Sequence, residues 1–101
     1  MPDQPVVCKL SEPELQQRRA QVLDAIRARI QEIRPLEIGW ALRFHSEDTM
    51  VEQLLKAIQL ERLCCPFLRF RLTLEPDGGP LWLELTGPPG TKELLAAELR
   101  L

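Results

Sequence analysis

Two adjacent cysteines, Cys64 and Cys65, are the residues of this chain with the most distinctive chemistry. A third cysteine, Cys8, lies near the start of the sequence. Thiolates are soft ligands that select ions such as Cu(I) and Zn(II), and Hg(II) and As(III) belong to the same chemical category. The cysteine pair therefore predicts a binding site for a thiophilic metal or metalloid ion, with Cys8 as a third sulfur ligand.

Glu61 adds a carboxylate to the predicted metal ligands, which are Cys8, Cys64, Cys65 and Glu61. It precedes the cysteine pair by three and four residues, so a last helical turn would bring its carboxylate beside at least one thiol. A second interpretation is a buried ion pair with Arg19, because both charged residues fall on apolar helix stripes and need a partner. Of the two, the ion pair is favoured.

Thiol catalysis is a weaker interpretation than ion binding. Redox enzymes of the thioredoxin type use Cys-x-x-Cys at a helix N-terminus, where the helix dipole favours the thiolate, whereas this pair ends a predicted helix. A disulfide between adjacent cysteines would be strained, since their Cα atoms are about 3.8 Å apart and relaxed disulfides begin near 4.4 Å. His45 is the single histidine, and Glu61 would otherwise have to act as the base. We expect a binding protein with no catalytic residue and, apart from the ion, no cofactor.

The alternative is that the cysteines are structural. Unpaired cysteine is among the most buried residue types, so an adjacent pair can fill space in a core. The protein would then be a small dimeric interaction module. Trp82, on the polar side of a predicted strand and flanked by arginines of the neighbouring strand, would be buried in its homodimer interface.

Composition restricts the class of protein. The 101 residues, 45% hydrophobic and 28% charged, are expected to form a single domain over residues 1–101. The apolar runs are far shorter than the roughly 18 to 20 residues of a membrane span, and an odd number of cysteines does not suit a secreted disulfide framework. A net charge of −2 gives no general attraction to nucleic acid or anionic lipid. We therefore expect a cytoplasmic protein with neither nucleic acid nor a membrane as a partner.

Hydrophobic periodicity predicts the elements that position the cysteines. Alternation predicts a first strand over residues 6–10, with Cys8 facing inward. Ser11 to Glu14 resemble a capping box, which predicts a long helix whose apolar stripe extends to Ile33 and which Pro35 ends.

The rest of the chain continues the alternation of strands and helices. A strand is predicted over residues 37–44, followed by a second helix that Cys65-Pro66 ends. Residues 68–74 and 81–86 form the clearest predicted hairpin, and a short helix follows from Thr91. The order β-α-β-α-β-β-α predicts an α/β (α+β) two-layer sandwich, a four-stranded sheet with the helices packed on one face.

Three segments also resemble a group of short uncharacterised bacterial proteins. These segments, which with the residues between them cover nearly the whole chain, are CKLSEPELQQRRA, ERLCCPFLRFRL and PDGGPLWLELTGPPGTKELL. The group has a cysteine near the N-terminus and a Cys-Cys-Pro/Ala-Phe motif. The resemblance implies a shared fold and a shared thiol site at Cys8, Cys64 and Cys65, and it implies no substrate. A looser similarity, limited to the Cys-Cys dipeptide, is to mercury-handling proteins.

Overall fold

Three helices and a four-stranded antiparallel sheet make up the fold of the computed structural model, which describes residues 6–7 and 10–101. In chain order the elements are α1 Pro13–Arg27, β1 Glu32–Leu36, β2 Gly39–Phe44, α2 Asp48–Cys64, β3 Arg69–Leu74, β4 Leu81–Thr86 and α3 Thr91–Leu99. The strands lie in the order β1-β2-β4-β3. No helix in the described part of the chain has the length and apolarity needed to cross a membrane.

The core lies between one face of the sheet and the helices. Every second residue of β2 and β4 points into it, and the helices contribute their apolar stripes. Its buried members are Ile26, Leu42, Phe44, Met50, Leu54, Ala57, Leu81, Leu83, Leu85, Leu95 and Leu99. The predicted α/β (α+β) two-layer fold, with a four-stranded sheet and helices on one face, is confirmed.

The first helix ends earlier than its apolar stripe predicted. It stops at Arg27, and residues 32–36 form β1 instead of a further helical turn. Ile33 fits the helical stripe, yet it pairs with Leu42 of β2. Its β-branched side chain and the following Arg34-Pro35 step both favour extended backbone. Because β1 is at the edge of the sheet, Pro35 is tolerated within it.

The strand predicted over residues 6–10 is not the fourth strand of this sheet. Cys8 and Lys9 lie outside the described residues, and Val6, Val7 and Leu10 belong to no strand. The fourth strand is instead β1, which a two-residue turn at Glu37 and Ile38 connects to β2.

The hairpin of β3 and β4 is confirmed, with the strands at Arg69–Leu74 and Leu81–Thr86. Its turn places Asp77 and Gly78 at positive φ of 58° and 71°, conformations that Asp and Gly adopt more readily than most residues. The alternation of the two strands is the predicted one, with Leu72 opposite Leu83 and Arg71 opposite Glu84.

The second face of the sheet, which we call the open face, carries polar side chains and Trp82. Arg34 lies over the Trp82 ring at 4.6 Å, and Arg43 Nη1 donates a hydrogen bond to Glu32 at 3.4 Å. Trp82 is therefore partly covered by an arginine of its own chain.

Replacement of Leu54, which is fully buried in α2, tests the position of the core. We expect Leu54→Ala to lower the free energy of unfolding by about 3 kcal/mol, because it leaves a cavity beneath the sheet. Leu55→Ala is the matched control, since the Leu55 side chain is 48% exposed, and it should cost less than about 1 kcal/mol. Urea denaturation measures both, and equal losses would contradict the assignment of faces to α2.

Candidate functional site

The cysteine pair lies where α2 ends, as predicted. Pro66 has no backbone N–H and forces the preceding residue out of helical geometry, and Cys65 accordingly has φ −123° and ψ 75°. The Cys65 N–H still donates to the Glu61 carbonyl oxygen at 2.6 Å, so this turn remains tightly wound. The α2 terminus thus fixes both cysteines relative to Glu61.

Both cysteines are fully buried. Each has 0% of its surface exposed, and they form a small cluster with Phe67 beneath partly buried Val6, Leu10, Leu68 and Leu94. Apolar side chains therefore exclude water from this corner of the molecule.

Glu98 of α3 completes a group of three ligand residues. The sulfurs of Cys64 and Cys65 and a carboxylate oxygen of Glu98 all lie within 4.8 Å of one another. Glu98 is not among the ligands predicted from the sequence, although the sequence contains a signal for it. It follows Leu94 by four residues on α3, so it is a charged residue on an apolar stripe, as Arg19 and Glu61 are.

The two cysteines differ in redox state. Cys65 carries a free thiol, whereas Cys64 takes part in a disulfide bond. Cys8, the third predicted sulfur ligand, lies outside the described residues. Coordination of an ion by the sulfurs of both Cys64 and Cys65 therefore requires Cys64 to be reduced first.

Arg19 connects the three helices through two carboxylates. Its Nε donates to Glu61 Oε1 at 2.6 Å, and its Nη2 donates to Glu98 Oε2. The ion pair favoured for Glu61 is confirmed. Glu98 is the carboxylate of the three-ligand group, whereas Glu61 contacts the Cys65 thiol through a hydrogen bond. One guanidinium thus holds a carboxylate from α2 and a carboxylate from α3.

Burial and nearby charge keep the Cys65 thiol protonated. Burial raises the pKa of Cys65, the negative charges of Glu61 and Glu98 raise it further, and the result is about 12. A hydrogen bond from the thiol to the Glu61 carboxylate acts in the same direction. Burial also raises the pKa of Glu61, against the opposing effect of Arg19.

The Arg19 guanidinium remains charged at every ordinary pH. Burial alone would lower the pKa of Arg19, but hydrogen bonds and charge from Glu61 and Glu98 outweigh this effect and raise it. The site therefore keeps a permanent cation beside its carboxylates.

His45, the residue considered as a base, lies apart from the ligand group. Its side chain is 71% exposed, and its Nε2 is 3.9 Å from the carboxylate of Glu47. Within residues 6–7 and 10–101, the grouped ligands are Cys64, Cys65 and Glu98. The arrangement can hold an ion or a proton, and it offers no imidazole to activate a thiol.

Comparison with known proteins found no matching family model, no matching curated protein and no matching solved structure. The interpretation of the site therefore rests on its geometry and its chemistry.

Arg19 should be essential for stability because its loss leaves two largely buried carboxylates without a cation. We expect Arg19→Met to lower the free energy of unfolding by about 3 kcal/mol. Arg18→Met is the matched control, since Arg18 is exposed on the same helix and should change stability by less than about 0.5 kcal/mol. Urea denaturation of both variants would contradict the bridging role of Arg19 if the two losses were the same.

The Cys65 thiol should not titrate in its ordinary range. Its pKa is raised from 9.0 to about 12, so the stability that the protonated thiol contributes is present below pH 9 and is lost as the pH rises toward 12. The thiolate absorbance of the wild-type protein, after subtraction of the absorbance of Cys65→Ser at the same pH, should not increase up to pH 10. Glu61→Gln should lower the pKa of Cys65, whereas Glu52→Gln, at an exposed position of α2, should not. A wild-type midpoint near pH 9 would show that the thiol is not buried beside the carboxylates.

Proposed function

We propose that this protein binds a thiophilic metal or metalloid ion, of the class Hg(II), As(III), Cu(I) or Zn(II), for sensing, buffering or delivery. The observation that carries the proposal is the approach of the Cys64 and Cys65 sulfurs and a Glu98 oxygen to within 4.8 Å of one another. The ion-binding form is the one in which Cys64 is reduced, as a reducing compartment such as the cytoplasm would keep it.

The donor set favours a soft ion. Two thiolates supply the soft ligands, and the Glu98 carboxylate supplies an oxygen from a different helix. In this proposal Glu61 does not touch the ion, because Glu98 is the carboxylate within 4.8 Å of both sulfurs. Glu61 instead accepts hydrogen bonds from Arg19 and from the Cys65 thiol. Such a partner orients a ligand and modifies its basicity without touching the ion.

Ion binding must displace protons from the buried thiols. With a pKa of about 12, Cys65 holds its proton at neutral pH unless an ion replaces it. The apparent affinity should therefore rise with pH, by about tenfold per unit for each displaced proton. An ion also offsets the negative charge that two thiolates would bring beside two carboxylates.

The alternative function is that of an interaction module whose cysteines are structural. Two observations favour it, the complete burial of the pair and the disulfide of Cys64. Labelling of the reduced, native protein with a thiol reagent, together with metal analysis of the purified protein, separates the two. Structural cysteines should react only after unfolding, and the protein should then carry no ion.

Titration of the reduced protein with Hg(II), As(III), Cu(I) and Zn(II) is the direct measurement. We expect one ion per chain, and affinity that falls at least about 100-fold in Cys64→Ser/Cys65→Ser because both soft ligands are lost. Glu98→Gln should weaken binding at least about tenfold, because a neutral amide oxygen replaces the carboxylate ligand. Glu93→Gln, at an exposed position of the same helix, should have no effect.

Oxidised wild-type protein is the internal control for this titration. It should bind the ions no better than the double serine variant, and treatment with a thiol reductant should restore binding. Equal, weak binding by reduced wild type and the double variant would disprove the proposal. Circular dichroism of each variant verifies that the fold is retained.

A further inference from the structure

The outer edge of β3 has no partner strand among the residues that the structure describes. β3 pairs with β4 on one side, and in the described part of the chain no backbone hydrogen bond of residues 69–74 goes outside that ladder. The opposite edge of the sheet, β1, carries Pro35, which removes a donor and blocks pairing. β3 contains no proline, so its N–H and C=O groups remain available to another strand.

The side chains of β3 alternate between the two faces of the sheet. Phe70 and Leu72 are half-buried on the core side, and Leu74 on the same side is 55% exposed. Arg69, Arg71 and Thr73 are exposed on the open face. A strand added here would extend the apolar face and the charged face at once.

Opposite charges stand at the two ends of this edge. Arg69 is the first residue of β3, and Glu75 directly follows the last one. Side chains alternate between the two faces along a strand, and six residues separate Arg69 from Glu75, so both belong to the open face. Neither side chain has an ion pair with any residue that the structure describes. Two antiparallel copies of this edge would bring each Arg69 opposite the Glu75 of the other copy.

We propose that this protein forms a homodimer in which the β3 strands of two copies pair in antiparallel fashion, centred on Leu72, to give a continuous eight-stranded sheet. Leu72 then lies opposite Leu72 of the other copy, Phe70 opposite Leu74, Arg71 opposite Thr73 and Arg69 opposite Glu75. The pairs join apolar to apolar residues, Arg71 to a polar threonine, and Arg69 to the opposite charge of Glu75. The arrangement is isologous, as a two-fold axis requires.

Other registers are less favourable. A shift of one residue would place the apolar face of one copy beside the charged face of the other. A pairing centred on Arg71 would set Arg71 opposite Arg71, and one centred on Thr73 would set Phe70 opposite Pro76, which has no N–H to donate. The pairing centred on Leu72 avoids both faults.

Dimerisation through Trp82 on the open face is less well supported. That face carries Arg34, Arg43, Arg69 and Arg71 against Glu32, Glu75 and Glu84, so each face keeps an excess of positive charge and two such faces are not complementary. Trp82 is also partly covered by Arg34 within its own chain. The β3 edge is the contact that charge complementarity favours.

Sedimentation equilibrium of the reduced, metal-free protein tests the proposal apart from ion binding. Wild type should be dimeric, and Arg69→Glu and Glu75→Arg should each raise the dimer dissociation constant about tenfold or more, since two attractive pairs become repulsive. The double variant Arg69→Glu/Glu75→Arg should restore the wild-type value. Lys56→Glu, which changes the net charge as Arg69→Glu does but at an exposed position of α2, should leave the constant unchanged.

Thr73 provides a second, independent test at an exposed position. Thr73→Lys should weaken the dimer, and Thr73→Glu should strengthen it, because each faces Arg71 of the other copy. A monomer at all concentrations would overturn the proposal, and so would a double variant that remains as weak as the single variants. Either result leaves the ion-binding proposal unaffected.

Discussion

The bridge from Arg19 to Glu61 and Glu98 is the interaction on which the helical layer depends. It connects α1, α2 and α3 at one point, and a single guanidinium satisfies two largely buried carboxylates. Burial of any one of these charged groups without a partner would have a large free-energy cost, because the group would lose its hydration. The three helices therefore have to meet in one relative arrangement for all three charges to be paired.

This bridge also determines the chemistry available to the thiols. Glu61 and Glu98 stay beside the cysteine pair because Arg19 holds them there, and their charge adds to burial in raising the pKa of Cys65. A thiol protected in this way is a poor nucleophile at neutral pH, since the thiolate is the reactive form. An ion that binds sulfur strongly can still replace the proton, so the same environment that opposes catalysis is compatible with ion binding.

The two edges of the sheet differ in their capacity to pair with another strand. Pro35 occupies one edge, whereas the opposite edge is unpaired in the described part of the chain and carries Arg69 and Glu75 at the two ends of residues 70–74, which alternate between apolar and polar. Edge strands are a hazard that natural proteins block or use. Pro35 blocks the β1 edge, and the β3 edge is free to be used in the pairing proposed above.

The local sequence determines the buried face of the β3–β4 hairpin, the end of α2 and one ion pair. Alternating leucines in β3 and β4 fix which face is buried, and Pro66 ends α2 at the cysteines because it removes a donor and excludes helical geometry before it. Arg19 and Glu61 could be paired from sequence because each is a charged residue on an apolar stripe.

Other features of the fold and of the site depend on the tertiary structure. Ile33 satisfies both helical and strand periods; its side chain and Pro35 favour extended backbone, and pairing with Leu42 places it in the sheet. Glu98 reaches the sulfurs because α3 lies near the end of α2, where Leu94 packs against the cysteine cluster. Its place on an apolar stripe indicates a buried charge that needs a partner, but the spacing of residues does not show that this charge lies beside the sulfurs.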